Sequence, residues 1–199
     1  MQGMSESTSI DGFTLSRRHG GQLVCLGAGS YGVVLKAAAS GGAEAVLKLN
    51  ICRTTQDLKT ARKEQILQEL PEHQHVVKIL SFHEHAADTG CFSHSGTLIH
   101  ELRAICVEKQ QQRLPYPVRL LSPEVTDTYC VLAFELAGQQ DMMSWHEFYH
   151  DAGDVPPDDK LRMAATQQAS ALAHLHANGI AHHDFKAENI FMDDALINA

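Results

Sequence analysis

The first half of the chain alternates short apolar runs with polar or glycine-rich turns, a pattern that predicts consecutive β-strands. Residues 22–34 predict a strand, a glycine turn and a second strand, and residues 45–49 predict a third strand. Residues 54–70 have apolar positions at helical spacing, with Pro71 as a stop signal. Residues 76–80 then predict another strand.

The second half of the chain is richer in helix. Residues 83–128 have no clear periodicity apart from a candidate helix at about 98–112, whereas residues 129–136 predict an apolar strand. A short helix is predicted at about 144–152. A long helix should start after Asp158, a favourable N-cap residue, and end near Asn178 and Gly179.

Length and charge exclude several classes of protein. The 199 residues are enough to bury a core, and the formal net charge is −8 without a dense run of Lys or Arg. Nucleic acid and anionic membranes are therefore not expected as main partners. Residues 1–16 lack the apolar core of a signal peptide, and no segment is apolar for long enough to cross a membrane.

Cysteine and histidine usage bears on the compartment and on metal binding. The five cysteines are scattered and include no Cys-x-x-Cys pair, which indicates reduced thiols and an intracellular protein, cytoplasmic or nuclear. Many of the thirteen histidines lie between His73 and His100, where His-x-His pairs are candidate zinc or copper ligands. Ordinary loop and strand histidines are the favoured interpretation, because the cluster lacks a tetrahedral-type spacing with cysteine.

A glycine pattern, Gly27-x-Gly29-x-x-Gly32-x-Val34, occupies the first predicted hairpin. Glycines allow a backbone to approach phosphate groups closely, since a Cβ would collide. Dinucleotide-binding folds use similar spacing but continue into a helix, whereas this chain continues as a strand. A plain glycine turn is the alternative interpretation.

The strongest motif lies near the C-terminus, where a helix end and the sequence Gly179-Ile180-Ala181 precede His182-His183-Asp184-Phe185-Lys186-Ala187-Glu188-Asn189. This segment resembles the catalytic loop of eukaryotic-type protein kinases, and the lysine two residues after the aspartate resembles the Ser/Thr branch. The resemblance implies that Asp184 accepts or orients the hydroxyl proton and that Lys186 steadies the transferring phosphoryl group. It also implies that Asn189 binds Mg²⁺.

By the same resemblance, Gly27, Gly29, Gly32 and Val34 would cover the phosphates of ATP. Lys48, at the end of Ala45-Val46-Leu47-Lys48, would contact the α- and β-phosphates and be held by a helix glutamate. An edge-strand lysine that points to solvent is the alternative.

Glu64 is the preferred partner for Lys48, although counting from Leu70 would place Lys63 at the same position. A second register places the helix at about 98–112, with Glu101 or Glu108 as the partner. A solvated surface glutamate is the remaining alternative.

Residues 131–137 resemble the fifth strand and hinge of the kinase fold. The resemblance implies that Phe134 closes the back of the adenine pocket. It also implies that backbone groups of Glu135 and Ala137 bind the adenine edge.

The resemblance implies an α+β, two-lobe fold with an antiparallel-sheet N-lobe and a partial helical C-lobe. Residues 1–21 would form an N-terminal tail and residues 22–199 the kinase-like domain. The N-lobe would span about 22–136, with an insertion at about 83–128, and the C-lobe would begin at about 139.

The implied function is transfer of the ATP γ-phosphate, with Mg²⁺, to Ser or Thr hydroxyls of a protein substrate. Two departures raise alternatives: His183 replaces the usual arginine, and no Asp-Phe-Gly motif precedes Ala199. One alternative is a pseudokinase or kinase fragment that binds nucleotide or a partner protein covering an incomplete C-lobe. Another is a small-molecule kinase, which Lys186 and the full glycine loop disfavour.

Overall fold

The computed structural model describes residues 8–28, 32–87, 89–93, 96–111, 127–138 and 140–193. The chain divides into two compact units. The first comprises Met1–Glu69 and Lys78–Glu135, and the second comprises Leu70–Val77 and Leu136–Ala199. The fold is α+β, as the sequence predicts.

The first unit is built on an antiparallel sheet with, among the described residues, seven strands. They are β1 (Ser9–Ile10), β2 (Phe13–Leu15), β3 (Cys25–Ala28), β4 (Gly32–Ala38), β5 (Glu44–Cys52), β6 (Ile79–Ala86) and β7 (Thr128–Glu135). Their order is β1-β2-β4-β5-β7-β6, and β3 also pairs with β4. Strand β5 is therefore central, paired along its length with β4 and β7.

Strand β5 sends its side chains alternately to two different environments. Ala45, Leu47, Leu49 and Ile51 are fully buried in the main apolar core. Helix α2 (Thr97–Gln111) supplies the other side of this core through Leu98, Ile99, Leu102 and Cys106. The segment predicted as an insertion therefore provides core residues as well as surface.

Helix α1 (Thr55–Gln65) packs on the opposite face of the sheet. Thr54 and Asp57 form a capping box that satisfies the first backbone N–H groups, which explains why the helix begins there. Ala61 packs on Cys52 and Cys130, and the Arg62 Nη2 donates to Glu84 Oε2 of β6 at 2.7 Å. A 3₁₀ turn, Ile66–Glu69, continues the helix to the end that Pro71 predicts.

The predicted N-terminal tail instead contributes β1 and β2 to the sheet. Ile10, Phe13 and Leu15 are buried in the main core, but their Ser/Thr-rich surroundings conceal this short alternating pattern. The β1–β2 turn reaches the other end of the sheet, where Asp11 Oδ2 lies 2.9 Å from His85 Nε2 on β6. The sheet is thus curled around its core.

The second unit contains two helices, α3 (Met142–Asp151) and α4 (Asp158–Ala177), and a small pair of strands in its described part. Strand β8 (Gln140–Asp141) pairs with β9 (Phe191–Met192), and Trp145, Ala164 and Met192 form a buried cluster. Pro157, rather than Asp158, occupies the N-cap of α4; Asp158 is the first helical residue. An acidic residue in the first turn suits the helix dipole equally well.

Residues 70–77 differ from the prediction, since Val76 and Val77 lie outside any strand and β6 begins at Ile79. This segment packs within the second unit. The His73 ring stacks on His174 of α4 with centroids 4.7 Å apart, and His174 Nε2 donates to the Pro71 carbonyl at 2.9 Å. Among the described residues, no helix has both the length and the apolar character needed to cross a bilayer.

Candidate functional site

The glycine-rich hairpin is formed by β3 and β4. Gly27 lies opposite Val34, and Gly32 starts β4 opposite Asn50 of β5. A Cβ on Gly32 would lie 1.7 Å from the Leu49 carbonyl oxygen, so close packing of two backbones requires glycine here. Gly29, the middle glycine of the pattern, lies outside the described residues.

We expect Gly32→Ala to destabilise the first unit, because Leu49 belongs to the central strand and its backbone cannot withdraw without breaking the sheet. The expected loss in free energy of unfolding is about 1–3 kcal/mol, measured by chemical denaturation. Gly41→Ala is the matched control, because Gly41 lies in the turn between the same two strands and a Cβ added there would meet no atom within 4 Å. Equal stability of the two variants would contradict the prediction.

Lys48 and Glu64 form an ion pair between β5 and α1. The Lys48 Nζ lies 2.8 Å from both carboxylate oxygens of Glu64. The two side chains retain 36% and 31% of their accessible surface, so the pair is open on one side to a ligand. Of the alternative partners on α2, Glu101 instead binds Arg17 through two 3.0 Å contacts, and Glu108 is exposed.

A cavity of about 370 Å³ lies beside this ion pair. Strands β4 and β5 and helix α1 form its walls. The lining includes Gly32, Val34, Lys48, Asn50, Cys52 and Glu64. Four residues of the predicted nucleotide site therefore face one space with a cation and an anion on its wall: Gly32, Val34, Lys48 and Glu64.

Residues predicted to bind adenine lie at the end of β7 and just after it. Phe134 is half-buried between Val46 of β5 and Ile79 of β6. The Glu135 N–H donates to the Lys78 carbonyl at 3.0 Å, so this N–H is already occupied within the sheet. Ala137 belongs to the second unit and is half-buried. Their roles toward a nucleotide stay predictions.

The loop after α4 places three predicted catalytic residues together. Helix α4 ends at Ala177, and Gly179 has a φ of 75°, which turns the chain away from the helix axis. Asp184 Oδ2 accepts a 2.8 Å hydrogen bond from Asn189 Nδ2 and lies 3.3 Å from Lys186 Nζ. The pKa of Asp184 is held below its usual value, mainly by the hydrogen bond from Asn189 and next by the hydrogen bond from Lys186.

The residue before this aspartate has an unusual backbone. His183 has a φ of 59°, in the left-handed region that is uncommon for residues other than glycine. The Asp184 N–H donates to the His182 carbonyl at 2.8 Å and so fixes the turn. Backbone strain of this kind concentrates at functional sites.

Two places in the chain bear on metal binding. Within the described ranges, no group of three or more His, Cys, Asp or Glu side chains could hold a metal ion, and the His73 and His174 rings stack face to face instead of converging. At the loop, Asn189 donates through its amide nitrogen to Asp184, which leaves its amide oxygen for a cation. Amide oxygens are among the ligands that Mg²⁺ takes, so the predicted role of Asn189 fits that ion.

Three side-chain contacts within the first unit have no counterpart in the sequence predictions. Arg62 binds Glu84, Arg17 binds Glu101, and the Cys52 and Cys130 sulfurs lie 3.5 Å apart. Each joins residues at least 22 positions apart in the chain. The alternation along β5 gives the one available signal, since it places Cys52 on the same face as Lys48.

A family model described as "Protein kinase domain" matches residues 22–197. It covers the glycine hairpin, the Lys48–Glu64 pair and the Asp184 loop. A comparison with curated proteins returned no match.

Proposed function

Because the chain belongs to the protein kinase family, we propose that it transfers the γ-phosphate of ATP to serine or threonine hydroxyls of protein substrates, with Mg²⁺. The observation that carries this proposal is the arrangement around Asp184, whose carboxylate is held by Asn189 and Lys186. An oriented carboxylate beside a lysine and an amide supplies the groups that the catalytic loop contributes to this reaction.

In the first unit, Lys48 would bind the phosphates of ATP. A lysine ammonium has three N–H donors, and the two Glu64 oxygens account for two of them. The third is oriented by the pair and can donate to a phosphate oxygen. Gly32 and Val34 would lie over the nucleotide, since they share the cavity wall with Lys48.

In the second unit, Asp184 would orient the attacking hydroxyl and take its proton as the oxygen–phosphorus bond forms. Aspartate is ionised at neutral pH and the pKa of Asp184 is lowered further, so its carboxylate can accept that hydrogen bond. Lys186 would hold negative charge on the moving phosphoryl group. Bound Mg²⁺, held by Asn189, would supply further charge neutralisation on the phosphate oxygens.

Preference for serine and threonine rests on Lys186, which stands two residues after Asp184 as in Ser/Thr kinases. We further propose that the protein acts inside the cell, in the cytoplasm or nucleus, because all five cysteines lie in described parts of the chain as thiols rather than disulfides. The net charge of −8 favours a protein substrate over nucleic acid or a membrane surface.

A second candidate function is a pseudokinase, a partner-binding module without phosphoryl transfer. The observation that favours it is the exposure of large apolar side chains on the second unit. Phe148 and Val155 are 67% and 76% exposed, and Phe185 and Phe191 are about half exposed. Exposed apolar surface of this kind is typical of protein interaction sites, so a partner protein covering this unit would be its ligand.

A phosphate-incorporation assay tests the proposal: the chain is incubated with labelled ATP, Mg²⁺ and generic protein substrates. Glu64→Gln is the informative variant. We expect the unsubstituted chain to incorporate label on serine and threonine. Glu64→Gln should weaken ATP binding about tenfold, because Lys48 loses a charged hydrogen-bond partner.

Glu44→Gln is the matched control, because Glu44 also pairs with a lysine, Lys36, in the same sheet but away from the cavity. It should leave ATP binding unchanged. Failure to bind ATP would contradict the kinase, and ATP binding without transfer would select the pseudokinase.

A further inference from the structure

A pair of cysteines lies beneath helix α1. Cys52 is at the end of β5, and Cys130 is on β7, where it pairs with Asn50, two residues before Cys52. The two side chains therefore occupy diagonal positions on one face of the sheet, with their sulfurs 3.5 Å apart. Both are buried, and both contact Ala61 of α1.

The two thiols differ in their access to solvent. Cys52 is 5% exposed and lines the cavity beside Lys48 and Glu64, whereas Cys130 has no exposed surface. A peroxide-sized oxidant that enters the cavity therefore meets Cys52 first. The hydrogen bond with Cys52 and burial raise the pKa of Cys130, so Cys130 is a thiol at neutral pH.

We propose that Cys52 and Cys130 are a redox modification site, at which a peroxide converts the two thiols into a reversible disulfide that loosens α1 from the sheet. The formation of the disulfide is independent of the proposed kinase function. Its effect on ATP binding rests on that function.

The chemistry balances with one molecule of hydrogen peroxide. The Cys52 sulfur attacks one peroxide oxygen, the O–O bond breaks, and Cys52 becomes a sulfenic acid as one water leaves. The Cys130 sulfur then attacks the Cys52 sulfur and displaces its hydroxyl group, which leaves with the Cys130 proton as a second water. Two thiols are oxidised, and the peroxide is reduced to two water molecules.

The geometry makes such a bond strained and hence reversible. A disulfide requires the sulfurs to approach from 3.5 Å to about 2.0 Å. Diagonal positions on neighbouring strands are about 7–8 Å apart, just beyond the backbone separation that a disulfide spans without movement, so the two strands must draw together. Strained disulfides are more easily reduced, which suits a regulatory bond better than a structural one.

Helix α1 would respond because its contacts with the sheet flank the two sulfurs. Glu64 binds Lys48 on β5, Arg62 binds Glu84 on β6, and Ala61 beside them packs on the cysteine pair. Drawing the two strands together at this point changes the surface on which Ala61 packs. We expect the Lys48–Glu64 pair to weaken as a result.

The test treats the whole chain with hydrogen peroxide, blocks the remaining thiols with an alkylating agent and maps the peptides by mass spectrometry. The expected product is a peptide pair joined through Cys52 and Cys130, which disappears after treatment with dithiothreitol. ATP affinity, measured on the same samples, should fall about tenfold on oxidation and recover on reduction.

Cys91→Ala is the matched control, since Cys91 packs against the main apolar core and not beneath α1. This variant should form the same linked peptides as the unsubstituted chain. In the Cys130→Ala variant, peroxide should leave a sulfenic acid on Cys52 that dimedone traps. In the Cys52→Ala variant, dimedone should trap no sulfenic acid on Cys130. Thermal unfolding confirms that each variant is folded.

Two results would overturn the proposal. One is oxidised protein in which Cys52 and Cys130 still react with the alkylating agent or are linked to other cysteines. The other is complete conversion to the disulfide with unchanged ATP affinity, which would remove the coupling to α1. Loss of ATP binding in the reduced protein as well would contradict the proposed function, while the linked peptides would still report on the disulfide.

Discussion

Asp184→Asn should lower the rate of phosphoryl transfer by about 10²- to 10⁴-fold, the usual contribution of a positioned acid or base. Asparagine keeps the size of the side chain and can still accept hydrogen bonds from Asn189 and Lys186, but it cannot accept the hydroxyl proton. The measurement is the initial rate of label transfer from ATP at saturating substrate.

The substitution should leave the fold intact, because the Asp184 side chain is 66% exposed. ATP affinity should also change little, since Asp184 is not among the residues to which nucleotide binding is assigned. Glu147→Gln is the matched control: Glu147 is an exposed carboxylate on α3 of the same unit, and it should retain full activity. An Asp184→Asn variant with undiminished transfer would remove this residue from the mechanism.

Leu102→Ala should reduce the free energy of unfolding by about 2–5 kcal/mol, which is a large part of the stability of a small domain. Leu102 lies on α2, is completely buried and belongs to the core that β2, β4, β5 and β7 share. Truncation to alanine removes its contacts and leaves a cavity that the sheet cannot fill. Urea denaturation measures the change directly.

Val107→Ala on the same helix is the matched control. Val107 is 46% exposed, so its truncation should cost less than about 1 kcal/mol. A loss for Leu102→Ala as small as that for Val107→Ala would contradict the place of α2 in the core. A large difference would show that α2 is part of the core.

Elements with strong local signals are predictable from the sequence. The glycine turn and its flanking apolar residues predict β3 and β4, and the Thr54–Pro71 interval predicts α1 with its 3₁₀ extension. The predicted bounds of α2 and α4 agree with the structure to within one or two residues at each end. The resemblance to protein kinases favours Glu64 over Glu101 or Glu108, and the structure places Glu64 against Lys48.

Features that depend on distant partners are not predictable in this way. Strand β6 includes the polar run 83–85, and β6 can do so because it is the edge strand of the sheet. The apolar residues 76–77, by contrast, resemble a strand in sequence but lie outside the sheet. Cys52 and Cys130 are 78 residues apart, and their proximity depends on the register of two strands. Neither sequence spacing nor composition contains that information.

The curl of the sheet has a consequence for the behaviour of the protein at high concentration. An unpaired edge strand is a template for strands from other molecules and so promotes aggregation. On β6, Glu84 is bound by Arg62 and His85 is bound by Asp11, so both faces of this strand carry anchored polar groups near its C-terminal end. A foreign strand that docked there would lie against these fixed polar groups, so the same contacts that shape the core also protect the molecule from associating edge to edge.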